Sequence, residues 1–296
     1  MSEAGASDYK TPAMIITDQF VFVHMPKTGG TFVESVLERI HHARGDRIVE
    51  QRYDLPARST ALRRLGGRLA ARLRPPPRGL LIQAAHRREG TFNQHGTVAQ
   101  IPAAHADKPI LTVLRNPYDR YVSQYAFKWW VEHPTAFTQD LDRVRAEFPR
   151  YPELTFDEYV ALSNRFFRGS PNRRFPWEDR LGRHTLQFAE YCFADPARAA
   201  AIDAASLEAG LYRQDLHPRL RVIFQENLNR ELHDFLLEQG YAPAEIGFIL
   251  DHDRILPPGS SRPAAQGWES YYTPALKAEV RRRERMLFAL YPQWDV

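Results

Sequence analysis

The chain has 296 residues, of which 43% are hydrophobic and 26% are charged. This is ordinary globular composition, which excludes wholesale disorder, and the length suffices for one large α/β domain or two small ones. The net charge of +4 favours an anionic ligand without identifying it, and the single cysteine, Cys192, excludes an intrachain disulfide and a thiolate metal cluster. A reducing compartment is therefore expected.

The N-terminal residues 1–12 are small and polar, and they are predicted to form a flexible tail before a single domain over 13–296. They lack the basic and apolar regions of a secretory signal. No apolar run in the sequence approaches the ~20 residues of a membrane-spanning helix. We therefore expect a soluble, cytoplasmic protein.

A strand, a glycine turn and a helix are predicted near the N-terminus. The apolar run 20–23 predicts a buried strand, and helical spacing over 32–40 predicts a helix. The turn between them, 26–31, reads Pro-Lys-Thr-Gly-Gly-Thr. Because helix N-termini attract anions and glycines let the backbone approach them closely, this turn predicts a phosphate or sulfate site. Lys27 adds a positive charge there, and an ordinary Gly-Gly turn is the alternative interpretation.

The spacing of this turn differs from that of a Walker loop. That motif places a glycine and four residues before Gly-Lys-Ser/Thr, and its hydroxyl binds Mg²⁺. Here Lys27 precedes the glycines. We expect no metal ion at this turn, and no histidine–carboxylate group elsewhere in the sequence has metal-ligand spacing.

An arginine-rich segment follows the predicted helix. Residues 52–78 contain eight arginines and end beside three consecutive prolines, which predicts a basic helix or an exposed insertion. Leucines at 62, 65, 69 and 73 recur at helical spacing. The segment is interpreted as a solvated helix face or a peripheral membrane contact, with a platform for an acidic glycan or lipid headgroup as the third possibility.

Strand and helix candidates alternate along the rest of the chain. Apolar runs predict strands at 80–86, 110–114 and 221–224, and periodic patterns predict helices from Asn116 onward, over 226–238 and over 274–290. The aromatic- and arginine-rich stretch 133–195 predicts short helices and loops on the acceptor side. This alternation predicts an α/β fold, a single domain with a central, mostly parallel sheet flanked by helices.

A second anion site is predicted where strand 110–114 passes into its helix. Arg115 lies at the carboxyl end of that strand, where open α/β sheets bind ligands, and Ser123 lies about two turns into the helix. A guanidinium can bind two phosphate oxygens and a hydroxyl a third. The alternative is that Arg115 pairs with Asp119 and that Ser123 faces solvent. Two such junctions in one chain favour a ligand with phosphates at both ends.

Two segments resemble the donor-binding motifs of the sulfotransferases that use 3′-phosphoadenosine 5′-phosphosulfate (PAPS). Residues 22–31, Phe-Val-His-Met-Pro-Lys-Thr-Gly-Gly-Thr, resemble the 5′-phosphosulfate loop. Residues 114–125, Leu-Arg-Asn-Pro-Tyr-Asp-Arg-Tyr-Val-Ser-Gln-Tyr, resemble the 3′-phosphate motif. The Pro-Lys-Thr loop is most similar to the bacterial and Golgi carbohydrate subtype related to heparan sulfate 2-O-sulfotransferase. Element order and spacing agree with this family over 14–292.

The resemblance implies a P-loop-like fold, PAPS as co-substrate and a role for each matching residue. Lys27 would contact the bridging oxygen, and His86 would be the catalytic base after its strand. The 3′-phosphate would be held by Arg115 and Ser123, and a loop at 259–262, with Arg262, would cover the nucleotide. The 5′-phosphosulfate would be bound by Thr28, Gly29, Gly30, Thr31 and Phe32.

Several features leave the reaction partner open. His24 is interpreted as structural support for the loop, and the lesser candidates for the base are His95, His105, His133 and His184.

The aromatic and basic stretch 165–183 predicts either an acceptor cleft or core packing. We expect sulfuryl transfer to a hydroxyl of a glycan or glycolipid, without a nucleic-acid partner. The alternatives are a P-loop-type kinase and a non-catalytic polyanion-binding protein.

Overall fold

The structure is a computed structural model that describes residues 14–54, 80–88, 91–93, 95–138, 140–166, 179–251 and 267–296. The predicted tail at 1–12, residues 55–78 of the arginine-rich segment and the loop at 259–262 lie outside the described residues. The chain divides into two units, Met1–Val113 with Arg219–Ile255 and Leu114–Pro218 with Leu256–Val296.

The first unit is built on a seven-stranded sheet with the order β3-β4-β1-β2-β6-β7, in which β5 pairs with β4. Its strands are β1 Met14–Ile16, β2 Val21–Val23, β3 Arg47–Asp54, β4 Leu80–Arg88, β5 Thr91–Asn93, β6 Ile110–Leu114 and β7 Leu220–Phe224. The strands predicted at 20–23, 80–86, 110–114 and 221–224 are β2, β4, β6 and β7.

Strand directions confirm the predicted sheet. Strand β2 pairs with β6 in parallel, and β3 pairs with β4 in parallel. Strand β1 is antiparallel to both of its neighbours, β2 and β4. Because β1 opposes both, β2, β3, β4 and β6 all run in one direction. The central sheet is therefore mostly parallel, with the short β1 inserted in reverse.

The described residues form twelve α-helices, some of which the sequence predicted. They are α1 Gly30–Arg44, α2 Pro117–Phe127, α3 Trp129–Glu132, α4 Pro134–Phe137, α5 Leu141–Glu147, α6 Phe156–Phe166, α7 Arg183–Cys192, α8 Ala204–Glu208, α9 Leu228–Glu238, α10 Pro243–Ile246, α11 Pro274–Arg283 and α12 Arg285–Leu290. The prediction of short helices over 133–195 is confirmed in its described parts.

The core of the first unit lies between the sheet and the helices α1 and α9. Phe22, Leu111 and Ile223 project from three strands into one apolar cluster, which also includes Val36 of α1 and Leu232 of α9. The residues of β1, β2 and β6 are buried along their whole length. Strands buried on both faces are typical of α/β sheets, and their continuous apolar runs made them recognisable in the sequence.

Residues 52–54, where the predicted insertion begins, belong to a strand. Strand β3 continues through Asp54 and pairs in parallel with β4 over its full length. Its sequence, Arg-Ile-Val-Glu-Gln-Arg-Tyr-Asp, is rich in charged residues, so the strand did not stand out as an apolar run. It lies at the edge of the sheet order, where polar residues are tolerated.

The prediction of one helix over 274–290 is wrong, because α11 ends at Arg283 and α12 begins at Arg285. Glu284, between them, is fully buried. Its Oε1 lies 2.7 Å from the Tyr121 hydroxyl and accepts from the His184 N–H at 3.1 Å, and its Oε2 accepts from the Thr185 N–H at 2.7 Å. The carboxylate thus caps the N-terminus of α7, and these tertiary contacts fix the position of the break.

Aromatic rings pack against one another in the second unit. Trp268 stacks on Tyr118 with ring centroids 4.9 Å apart, and Trp130 packs on Tyr159 at 4.4 Å. Cys192, the last residue of α7, is completely buried, which raises the pKa of its thiol. Within the described part of both units, no helix has the length and hydropathy needed to cross a membrane.

Candidate functional site

The predicted anion loop joins β2 to α1, as the sequence indicated. It runs from His24 after the end of β2 to Gly29, which is the N-cap of α1. The first turn of α1 contains no acidic side chain. The positive end of a 15-residue helix is therefore presented directly after the loop.

The two glycines of this loop are required for different reasons. Gly29 has φ +107°, in the left-handed region, and a Cβ there would come within 2.8 Å of Leu228 Cδ2. A Cβ on Gly30 would overlap the ring of His24. At these two positions the backbone packs directly against Leu228 and His24, which only glycine permits, and this packing holds the turn that leads into the N-terminus of α1, where backbone N–H groups can bind a phosphate or sulfate.

The remaining loop residues differ in what they offer. Lys27 is half-buried and has φ +61°, a left-handed conformation that is uncommon outside glycine and often occurs at functional sites. The Thr28 hydroxyl is buried and donates to the Met25 carbonyl at 2.9 Å, so it braces the loop. Thr31 is half-buried at the start of α1. The Phe32 side chain packs in the apolar core, and its backbone N–H donates to the Gly29 carbonyl at 3.0 Å.

His24 is a neutral imidazole beneath this loop. Burial lowers its pKa well below the usual value, and the nearby His95 and Lys27 lower it further. The His95 ring meets it edge-on with centroids 5.0 Å apart. The sequence interpretation of His24 as support for the loop agrees with this position.

Arg115 directly follows β6 and pairs with Asp119, as the alternative interpretation of the sequence had it. Its Nε donates to Asp119 Oδ2 at 2.7 Å, and its Nη2 lies 2.6 Å from the same oxygen. The predicted start of α2 is confirmed: the Asn116 side chain accepts from the Tyr118 N–H at 3.0 Å, and Pro117 is the first helical residue. One edge of the guanidinium is thereby fixed against the first turn of the helix.

Ser123 lies on the same side of α2 as Asp119. It follows Asp119 by four residues, which is about one helical turn, and it is half-buried. Arg115 therefore lies just before α2, and Ser123 lies in the middle of the helix, on the side of Asp119. These residues belong to the second unit, whereas the Lys27 loop belongs to the first.

His86 lies within β4, two residues before its end, and not after the strand as the resemblance implied. Its backbone position can be related to the Lys27 loop through β1, because Met14 pairs with both Val23 of β2 and Ala84 of β4. Val23 and Ala84 are therefore at the same height in the sheet. His86 lies two residues beyond Ala84, at the height of Met25, which lies two residues beyond Val23. With neighbouring strands about 4.8 Å apart, β2 and β4 lie about 10 Å apart at this edge of the sheet.

Other predicted residues lie elsewhere. His184 is fully buried in the second unit, where its Nε2 lies 3.1 Å from Gln124 Oε1; its pKa is lowered by burial and by Arg120 and Arg183. His105 is also buried, whereas the side chain of His133 is about half exposed. Arg262 lies outside the described residues.

No family model matches the chain, and no curated protein matches it. Among solved structures, it is similar to the mouse sulfotransferase SULT7A1 complexed with PAP, at 15% identity and a TM-score of 0.41, over 93% of this chain and 84% of that one. It is also similar to a sulfotransferase from Alicyclobacillus acidocaldarius, at 18% identity and a TM-score of 0.32, over 93% of this chain and 98% of that one.

Proposed function

We propose that this chain is a sulfotransferase that transfers a sulfuryl group from PAPS to a hydroxyl of a glycan or glycolipid acceptor. The observation that carries the proposal is the turn at Lys27–Gly30, in which the left-handed Lys27 and Gly29 lead directly into the N-terminus of α1. The two sequence motifs that resemble PAPS-binding segments support the choice of donor. Their Pro-Lys-Thr variant supports a carbohydrate-type acceptor.

The 5′-phosphosulfate would be bound mainly by the backbone of this loop. The first turn of α1 contains no acidic side chain, so a ligand oxygen would meet the backbone N–H groups and the positive end of the helix. The Thr28 hydroxyl is bonded to Met25, so Thr28 would contribute its backbone N–H, and Thr31 would contribute its hydroxyl. Phe32 would act indirectly by holding the turn in place, since its side chain belongs to the core and its N–H donates to the Gly29 carbonyl.

The 3′-phosphate would be bound by Arg115 and Ser123. Asp119 engages the Nε and Nη2 atoms of Arg115, and this pair would orient the guanidinium so that its Nη1 side meets the phosphate. Ser123, one turn beyond Asp119, would donate its hydroxyl. Arg262 would cover the nucleotide from the C-terminal part of the chain.

The reaction itself needs one proton acceptor and one stabilising cation. The acceptor oxygen would attack sulfur in line while the bond between sulfur and the bridging phosphate oxygen breaks. His86 would take the proton of the acceptor hydroxyl. Lys27 would stabilise the charge that develops on the leaving oxygen, the product being 3′-phosphoadenosine 5′-phosphate (PAP).

Thermal stabilisation by nucleotides tests the donor. We expect PAP to raise the melting temperature increasingly as its concentration exceeds its dissociation constant. ATP with Mg²⁺ should have little effect, because the loop lacks Walker spacing. Stabilisation by ATP with Mg²⁺ and not by PAP would contradict the proposal and favour a kinase.

Transfer of radiolabelled sulfate from PAPS tests the acceptor. A panel of desulfated polysaccharides, glycolipids and small alcohols should show labelling of a glycan or glycolipid. Binding of many polyanions with a steep salt dependence, without preference for PAP and without labelling, would instead identify a polyanion-binding protein.

A further inference from the structure

His24 occupies a confined position at the end of β2. Its side chain is buried, with 6% of the residue exposed. One face of the ring stacks on Phe22, with centroids 6.0 Å apart and an interplanar angle of 20°, and the His95 ring meets it edge-on at 85°. These two contacts limit both the tilt and the rotation of the imidazole.

The same ring lies against the first residue of α1. A Cβ on Gly30 would overlap the Cδ2, Nε2 and Cγ atoms of His24, so the ring fills the space on that side of the Gly30 Cα. Gly30 follows the left-handed Gly29 and begins the helix. The ring therefore packs directly under the point where the first backbone N–H groups of α1 are presented.

We infer that His24 is a positioning residue for the donor loop, whose ring fixes the Gly30 backbone and thereby aims the first N–H groups of α1 at the 5′-phosphate. This inference rests on the proposed function, since it assumes that the loop binds the 5′ end of the nucleotide.

The charge of His24 is consistent with this role. Burial, His95 and Lys27 together keep its pKa well below the usual value. A neutral ring can pack beneath the loop without repelling the positively charged Lys27 side chain or the positive end of α1.

The experiment compares two nucleotides that differ only at the 5′ position. PAP carries both phosphates, whereas adenosine 3′-monophosphate lacks the 5′-phosphate. We expect His24→Ala to weaken PAP binding by about tenfold and to leave adenosine 3′-monophosphate binding unchanged, as measured by isothermal titration calorimetry. His24→Phe keeps a flat ring against Gly30, and we expect it to restore most of the PAP affinity.

His105→Ala is the matched control. His105 is a histidine of the same unit with the same exposed fraction of 6%, but it lies in the short 3₁₀ turn Ala103–His105. We expect this variant to lower the melting temperature without changing the ratio of the two dissociation constants. A change in stability alone is thereby separated from a change in positioning.

A double-variant cycle tests the contact itself. Gly30→Ala alone should impair PAP binding, because the new methyl group overlaps the ring. In the His24→Ala background the methyl group has space, so the additional loss caused by Gly30→Ala should be several-fold smaller. Equal losses in both backgrounds would contradict the proposed contact.

The outcomes separate this inference from the proposed function. Suppose that the wild type binds PAP more tightly than adenosine 3′-monophosphate. If a folded His24→Ala variant keeps the same ratio of dissociation constants, the inference is overturned and the proposed function stands. If the wild type does not distinguish the two nucleotides, the proposed function and this inference both fail. Should His24→Ala not fold by circular dichroism, His24→Gln provides the same comparison, since it also removes the ring.

Discussion

At the scale of single residues, the loop combines backbone strain with a functional side chain. Lys27 adopts φ +61°, which is unfavourable by about 1–2 kcal/mol for a residue with a Cβ. A glycine at this position would remove that cost, but the chain places a cation there instead. Such an arrangement is expected where a side chain has been retained for binding or chemistry at the expense of local stability.

Two substitutions of Lys27 should separate these effects. Both Lys27→Ala and Lys27→Gly remove the ammonium group, and both should lower sulfuryl transfer by at least about a hundredfold. Because glycine accepts the left-handed conformation, Lys27→Gly should be more stable than Lys27→Ala by up to about 1 kcal/mol in urea denaturation. Retention of wild-type turnover by either variant would exclude Lys27 as the stabilising cation.

The sequence allowed two interpretations of Arg115, binding of the 3′-phosphate or pairing with Asp119 alone, and these predict different effects of its removal. If the guanidinium binds the 3′-phosphate, Arg115→Ala should raise the KM for PAPS by at least about tenfold with a smaller change in kcat. If its only role is the pair with Asp119, the KM should not change, and stability should fall by about 1 kcal/mol or less, as for other partly exposed pairs.

The Asp119→Asn variant is the control for that experiment. It keeps the size of the side chain but removes the charge that holds the Arg115 guanidinium in place. We expect a KM increase smaller than that of Arg115→Ala, because the cation remains but is less well oriented. Steady-state kinetics with PAPS as the varied substrate measures both variants.

At the scale of secondary-structure elements, Glu284 links α7, α11 and α12. It replaces a side-chain cap at α7, whose N-cap residue is Gly182, and a Cβ on Gly182 would overlap the Glu284 carboxylate. The absence of a side chain at Gly182 thus allows a carboxylate from a distant part of the sequence to reach the helix N-terminus, where its charge is stabilised by the helix dipole.

Removal of this carboxylate should be strongly destabilising. Glu284→Ala leaves the buried N–H groups of His184 and Thr185 without their acceptor and removes one of two partners of the Tyr121 hydroxyl, and we expect it to lower the free energy of unfolding by at least about 3 kcal/mol. Glu147→Ala is the control, because its partners Arg143 and Arg165 are 57% and 40% exposed, so about 1 kcal/mol or less is expected. Equal losses in urea denaturation would contradict this account.

Sequence patterns identified the elements that are apolar or regularly periodic. The buried strands β2 and β6, the helix start at Asn116 and the glycine turn before α1 were all recognisable, because local residue types determine them. Strand β1 has three residues and runs antiparallel, so no local signal indicated it. The break at Glu284 depends on contacts with residues about 100 positions away, which no local pattern reveals.

The candidate site was predictable to a similar extent. The positions of Lys27 and Arg115 at strand ends followed from the strand–helix pattern. The packing of His24 on Gly30 did not, because both residues were visible but their contact is a tertiary feature. The Arg115–Asp119 pair has helical spacing, so the sequence could offer it as an alternative without deciding between pairing and ligand binding.

At the scale of the whole molecule, buried neutral histidines should make stability depend on pH. Burial lowers the pKa of His24, His41, His105 and His184 below 6.5, that of His105 to about 4. Below pH 6.5 the unfolded chain binds protons at these histidines while the folded chain does not, so each of them lowers stability as the pH falls. Glu34 has the opposite sign: burial and Glu38 raise its pKa to about 8, and the folded state gains stability as the pH falls through that value.

We therefore expect the free energy of unfolding to decrease between pH 6.5 and about 4.5, above the range in which most carboxylates titrate. Urea denaturation across this interval measures the slope. His105→Phe should make the slope shallower, and Glu34→Gln should make it steeper, because it removes a contribution of opposite sign. A free energy that is constant over the interval would show that these histidines do not titrate differently in the two states.

Because Cys192 is buried, the rate at which its thiol is chemically labelled can report local opening of the second unit. Alkylating reagents require the thiolate, which a fully enclosed sulfur does not form, so modification can proceed only through transient exposure of the end of α7. The rate of labelling then reports how often that region opens, without any engineered probe. Comparing the labelling rate with and without nucleotide would show whether ligand binding changes the frequency of opening around Cys192, a residue far from the Lys27 loop in sequence.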